Sequence, residues 1–378
     1  MIQWDFRWYS PAILILILAF LGLWAILKPK KMHDQFNPKK FVLKAILILL
    51  LVLVAMIPAI LFPRYEPIAT TGPYPIETAK FTLVDQSRDE LFTPIQDYRQ
   101  LEVAFWFPKS NSNDEAFPLI IFSHGGLGTF TSNESLYLEL ASHGYVVCSI
   151  GHPYHALWTK DEKGSVTWVD MDYFRELQEE DPEKNMVQSF NYYQKWMKIR
   201  TDDINFVLDT ILDKADTRFE KIDTWIDVDR IGLIGHSLGG SAALAMPRLR
   251  DDIDAVIALE SPFLYDIVGV EYDEFIWLDE EYPIPVLNIY SDSSWENLTK
   301  WPQYAQNVVM LAESTDDISN LYFSGAGHFS LTDLSLASPV ITKQLEGGKA
   351  SVEYRTYLRT VNDAVLEFFN RYFKQDLN

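Results

Sequence analysis

Cysteine is nearly absent: the 378 residues contain one, Cys148. A single thiol excludes an intramolecular disulfide framework and any cysteine-rich metal cluster. It lies in "YVVCSI", an apolar run where a buried strand thiol is expected rather than a nucleophile. Positive charge is scarce too, with 32 Lys and Arg against 53 Asp and Glu, a net of −21. The first 62 residues run against this trend, so the remainder is more acidic still. That balance argues against nucleic acid as a partner and against long-range attraction to anionic lipid. The acidic runs at 179–181 and 279–281 read as solvated loops. No His-Glu-x-x-His, Cys-x-x-Cys, Walker loop or dinucleotide fingerprint occurs, so neither a metal nor a cofactor is expected. His152 and His155 in "GHPYH" do not have a usual zinc spacing, and a loop role is the plainer reading.

What is present begins with two apolar runs, residues 8–27 and 45–62, nearly free of charge. Each is about long enough to cross a hydrocarbon core of roughly 30 Å as a helix. A cleaved signal peptide would account for the first run, but it lacks a basic leader and a second run follows. Six lysines lie between the runs and only Arg7 precedes them. The positive-inside rule then predicts a two-helix transmembrane hairpin over 1–62, a multi-pass protein held in the cell membrane with its remaining domain extracytoplasmic. The lipid bilayer would be a partner through that hairpin.

After a Pro-rich linker, apolar strands are expected at 79–86, 100–107, 118–123, 145–150, 230–235, 254–260, 284–292 and 320–325. Helical stretches alternate with them, and a closing helix is expected over roughly 350–374. This pattern predicts an α/β domain over 63–378 with a mostly parallel sheet flanked by helices. The long aromatic and charged segment 152–215 is either a lid insertion over the sheet or a packed pair of surface helices.

One stretch, "IGLIGHSLGG" at 231–240, carries the chemistry. Gly235-His236-Ser237-Leu238-Gly239 matches Gly-x-Ser-x-Gly, and the flanks read strand, turn, helix, the setting of a nucleophile elbow. A serine nucleophile needs a base and an acid that orients the base. His328 is the one histidine C-terminal to Ser237, in "FSGAGHFS". Two strand-end carboxylates could serve as the acid, Glu260 in "AVIALESPF" and Asp292 in "VLNIYSDSSW". Oxyanion amides are expected from Leu238, which follows the serine, and from Gly126 in "SHGGLGTF", with Leu127 an alternative.

These motifs, with "TGPYPIE", "DQSRDEL", "LEVAFWFP" and the late "GAGH", make the chain resemble the platelet-activating factor acetylhydrolases of the plasma and intracellular type II kind and their bacterial relatives. The resemblance implies an α/β-hydrolase fold, no metal, and cleavage of short or oxidised acyl chains from the sn-2 position of phospholipids. It places the nucleophile on Ser237, the histidine on His328, the oxyanion amides on Gly126 and Leu238, and the acid on Glu260. The family pattern has aspartate at that last position, and its "HGLG" is "HGGLG" here. The chain is therefore expected to be a membrane-tethered serine ester hydrolase. A broad short-chain carboxylesterase or polyester hydrolase is the alternative within enzymes, and a non-catalytic hydrolase-fold binding protein the alternative outside them.

Overall fold

Residues 117–123, "FPLIIFS", form a strand whose seven side chains are all buried. A strand covered on both faces must read as a continuous apolar run. The computed structural model describes residues 5–28, 37–64, 66–109, 115–213, 217–313, 315–348 and 350–374. Among these, two compact units are distinguished: 1–66 with 334–348, and 67–333 with 349–378.

The larger unit is built on eight strands: β1 (Ile76–Asp89), β2 (Tyr98–Pro108), β3 (Phe117–Ser123), β4 (Val146–Gly151), β5 (Ile226–His236), β6 (Ala255–Leu259), β7 (Val286–Tyr290) and β8 (Ile318–Tyr322). Their order in the sheet is β1-β2-β4-β3-β5-β6-β7-β8. β1 and β2 pair antiparallel, as do β2 and β4, and the other five neighbouring pairs are parallel. Neighbouring residues on one strand point to opposite faces, and they separate the core accordingly. Leu119, Ile121 and Leu233 join a cluster on one side, Ile120, Phe122 and Ile234 one on the other. The strands meet the expected positions within a few residues, and the closing helix spans Tyr354–Phe373.

The smaller unit holds the N-terminal apolar runs. Helix α1 (Tyr9–Leu27) and helix α2 (Pro38–Ala55) pack together, with Ser10 Oγ donating to the Ala55 carbonyl at 2.8 Å. A five-residue helix, α3 (Ile57–Leu61), follows. The expected two-helix transmembrane hairpin is not what the chain forms. Among the described residues one helix, Phe6–Leu27, is long and apolar enough to cross a membrane. The second run fails because its helix begins in Lys39, Lys40 and Lys44 and stops at Ala55, just before Met56 and Pro58. Its charge-free part, 45–55, reaches only about 17 Å at the usual helical rise. A multi-pass topology, and bilayer binding through a hairpin, lose their basis with it. Lys30 and Lys31, on which the inside–outside argument partly rested, lie outside the described residues.

The segment 152–215 contains a small hairpin (Trp158–Lys160 with Val166–Trp168), a nine-residue helix and one long helix. Helix α4 is Glu134–Ser142; α5 is Met171–Glu179 and α6 is Met186–Leu212. The buried side of α6, from Tyr193 through Ile211, faces the apolar cluster of Leu119 and Ile121.

Candidate active site

β5 ends at His236, and Ser237 turns the chain into helix α7 (Leu238–Ala245), every residue of which is buried. Ser237 has φ 54° and ψ −126°, a conformation that side chains rarely adopt. Its neighbours make the turn possible by having no side chain. A Cβ on Gly235 would lie 2.2 Å from the Gly239 carbonyl oxygen. One on Gly239 would lie 2.1 Å from the Ser123 carbonyl oxygen, and one on Gly240 1.9 Å from Ser261 Oγ. The Ser237 N–H donates to the Leu259 carbonyl at 2.8 Å, fixing the turn to β6. Ser237 remains partly exposed while the helix behind it is closed.

The other expected residues gather at the same edge of the sheet. Glu260 follows β6 with φ 55°, and its carboxylate accepts the N–H groups of Ser291 at 2.8 Å and Ser294 at 2.7 Å. His328 lies beyond β8, and its N–H donates to Ser293 Oγ at 3.0 Å. Its ring centre is 4.5 Å from that of His236, whose Nε2 contacts the His328 carbonyl at 3.1 Å. Burial lowers the His328 pKa, and the Glu260 charge opposes that shift. Asp292 is engaged elsewhere: it accepts from the Tyr322 hydroxyl at 2.5 Å and the Gly325 N–H at 3.0 Å, holding the loop that leads to His328. Among the described residues no hydrogen bond joins Ser237 Oγ to His328. In sites of this kind that bond is often long until substrate is bound.

The glycine loop after β3 lies against the elbow. A Cβ on Gly125 would be 3.3 Å from the Ser237 Cβ. The Leu127 N–H donates to the His155 carbonyl at 3.1 Å, so it is not free to serve an oxyanion. The N–H groups of Gly126 and Leu238 have no such partner among the described residues.

A second Ser–His–acid arrangement lies beneath this loop, and sequence reasoning missed it. Ser123 Oγ is 3.0 Å from His152 Nε2, and His152 Nδ1 is 2.9 Å from Asp203. Arg99 also binds Asp203, at 2.8 Å. Burial, then the nearby Arg200 charge, depress the His152 pKa to about 3. Burial alone would raise the Asp203 carboxyl, but Arg99 and His152 hold it well below the usual range. Ser123 is 1% exposed and His152 and Asp203 are fully buried, so the hydroxyl meets no solvent. The available signal was the pair Arg200 and Asp203, three apart on an apolar helical face, opposite the two histidines of "GHPYH".

A family model described as "Platelet-activating factor acetylhydrolase, isoform II" matches residues 98–378. The chain belongs to that family. Among curated members of the platelet-activating factor acetylhydrolases, it is 26% identical to the dog protein (Canis lupus familiaris) over 68% of this chain and 57% of that one. The guinea pig protein (Cavia porcellus) is 24% identical over 70% and 59%. The chain thus spans less than two thirds of the length of these relatives. A solved structure, "Ferulic acid esterase from Streptomyces cinnamoneus", superposes with a TM-score of 0.58, covering 82% of this chain and 93% of that one at 20% identity. That likeness supports the α/β-hydrolase fold that the family resemblance implies.

Proposed function

We propose that this chain is a serine carboxylic ester hydrolase that works on short acyl esters, with Ser237 as nucleophile. The observation that carries the reading is the forced, partly exposed conformation of Ser237 at the end of β5, beside Gly125. Ser237 Oγ attacks the ester carbonyl while the His328 imidazole takes its proton. The carbonyl oxygen, now negative, accepts from the Gly126 and Leu238 N–H groups. Collapse breaks the ester bond, and His328 returns the proton to the leaving alcohol. Water then attacks the acyl-serine with His328 again as base, releasing the acid and restoring Ser237. Glu260 orients His328 and stabilises its charged form.

The Ser123–His152–Asp203 set has suitable distances but no access, and it serves here as a support for the loop. The two serines are separable by experiment. Ser237→Ala should abolish fluorophosphonate labelling and lower p-nitrophenyl acetate turnover by more than about 10³-fold, roughly 4 kcal/mol of barrier. Ser123→Ala should keep the label and stay within about tenfold. The reverse order would make Ser123 the nucleophile.

A second reading, favoured by the family match over 98–378, is that the acyl group comes from the sn-2 position of phospholipids. Comparing kcat/KM for simple acetate, butyrate and octanoate esters with that for sn-2 acetyl phosphatidylcholine decides between them. A preference of more than about tenfold for the phospholipid, some 1.4 kcal/mol, favours the second reading. Equal or better use of the simple esters favours the first.

A further inference from the structure

Arg200 is fully buried in the middle of α6, far along the chain from the loop it touches. Its Nη1 donates to the His124 carbonyl at 2.8 Å and its Nη2 to the Gly125 carbonyl at 3.4 Å. Its Nε donates to His155 Nδ1 at 3.3 Å. The His155 ring in turn lies flat on Tyr173 of α5, with centres 3.8 Å apart and planes 5° from parallel. The Gly125 carbonyl also accepts from the Gly128 N–H at 3.0 Å and from His124 Nδ1 at 2.7 Å. His124 can do this because its Nε2 accepts from the His152 N–H at 3.3 Å, leaving the proton on Nδ1.

The geometry of the peptide unit turns these contacts into a directional effect. In a trans peptide the C=O of one residue and the N–H of the next point in opposite directions, and no cis bond occurs among the described residues. Donors that pin the Gly125 carbonyl therefore aim the Gly126 N–H the other way. The next amide, Leu127, is tied to the His155 carbonyl and held at φ 60°. The loop has no side chains at 125 and 126 with which to fix itself, so its orientation must come from outside.

We propose that Arg200 is a positioning residue that, through the His124 and Gly125 carbonyls, presents the Gly126 N–H to the oxyanion. The inference rests on the serine hydrolase reading above. It makes the segment 152–215 part of the catalytic apparatus, because the guanidinium that sets the oxyanion loop is carried on α6. Only a planar fork can serve both carbonyls and the His155 nitrogen together; an ammonium is a single point.

The test uses the full chain and counts active sites by fluorophosphonate titration, so that kcat is expressed per competent serine. Arg200→Lys should lower that kcat about 10²-fold, the loss typical of one oxyanion donor, with KM within about threefold. Affinity for a trifluoromethyl ketone that forms a tetrahedral adduct should fall in parallel with kcat/KM. A merely structural Arg200 would lower the melting temperature or the titratable fraction while leaving kcat per site unchanged, and that result would overturn the proposal. Should Arg200→Lys fail to fold, His155→Leu removes the acceptor that fixes Nε. It should lower kcat per site about tenfold, and His155→Asn, which keeps an acceptor, should restore most of it. A folded His155→Leu variant with parental kcat per site would equally overturn the proposal. Failure of the underlying reading shows differently, as turnover and labelling that survive Ser237→Ala.

Discussion

Ser237 and Glu260 each hold φ near +55°, where a Cβ crowds the backbone. Each sits at the end of a parallel strand, and each is fixed by a backbone hydrogen bond to the neighbouring strand. For the acid, Glu260→Gln should lower kcat by about 10⁴-fold, by analogy with triads whose acid is amidated. Asp292→Asn should cost far less, because Asp292 holds a loop rather than facing the base. The pH profile supplies a second readout. The base works in its neutral form, and burial lowers the His328 pKa, so the acid limb of kcat/KM should lie below the ordinary imidazole range. The Glu260 charge favours the imidazolium; removing it should move that limb to still lower pH. A limb that stays put in Glu260→Gln, with kcat little changed, would point to another acid. Gly239→Ala is a steric test of the elbow. Its new methyl would meet the end of β3 at 2.1 Å, so the variant should lose soluble expression or several degrees of melting temperature together with fluorophosphonate labelling.

At the level of elements, helix α6 links the sheet to the glycine loop through Arg200 and Asp203, both fully buried. Its polar contacts are sensitive to acid. His152 is neutral when folded, with its pKa depressed to about 3, while in the unfolded chain it takes a proton near pH 6.5. A depressed folded value means stability that is present above the unfolded pKa and is lost as pH falls toward the folded one. Asp203, also depressed when folded, contributes with the same sign at lower pH. Denaturant unfolding should therefore show stability falling below about pH 6.5, with His152 contributing about 1.4 kcal/mol per pH unit beside His124, His155, His236 and His328, whose pKa values burial also lowers. In His152→Gln this slope should be shallower between pH 6 and 4. An unchanged slope would place the acid sensitivity elsewhere.

Across the whole molecule, the closing helix is as much a part of the core as the strands. Its packing on the sheet is seen at Phe369, which is fully buried and lies where a side chain on Gly232 of β5 would go, 2.7 Å from its Cβ position. Phe369→Ala should cost about 3–5 kcal/mol of unfolding free energy, the usual range for a buried phenylalanine, measured as a shift in the denaturant midpoint. The positions of the strands along the chain were legible because central parallel strands are apolar throughout, as in "PLIIFS" and "YVVCSI". The N-terminal runs misled for an instructive reason. Hydropathy counts residues, whereas a spanning helix also needs unbroken, uncharged length, which α1 has and α2, with its lysines and its end at Ala55, does not.

The sequence by itself determined the sheet, the elbow and the family, since each depends on local pattern: alternating apolar strands, and glycines spaced where a Cβ cannot fit. Candidate residues Ser237 and His328 were named on the same grounds, whereas local pattern left the acid between Glu260 and Asp292 and the family resemblance favoured Glu260. Only the tertiary structure showed the different partners of the two strand-end carboxylates, the Ser291 and Ser294 amides for Glu260 and Tyr322 with the Gly325 amide for Asp292. It alone brought Arg200 from a distant helix to the loop of His124 and Gly125, and Asp203 and Ser123 to His152. Those contacts join residues 29 to 76 positions apart. Such pairings leave no periodic trace in the chain; they exist because burial of α6 against the sheet carries its few polar side chains to one place.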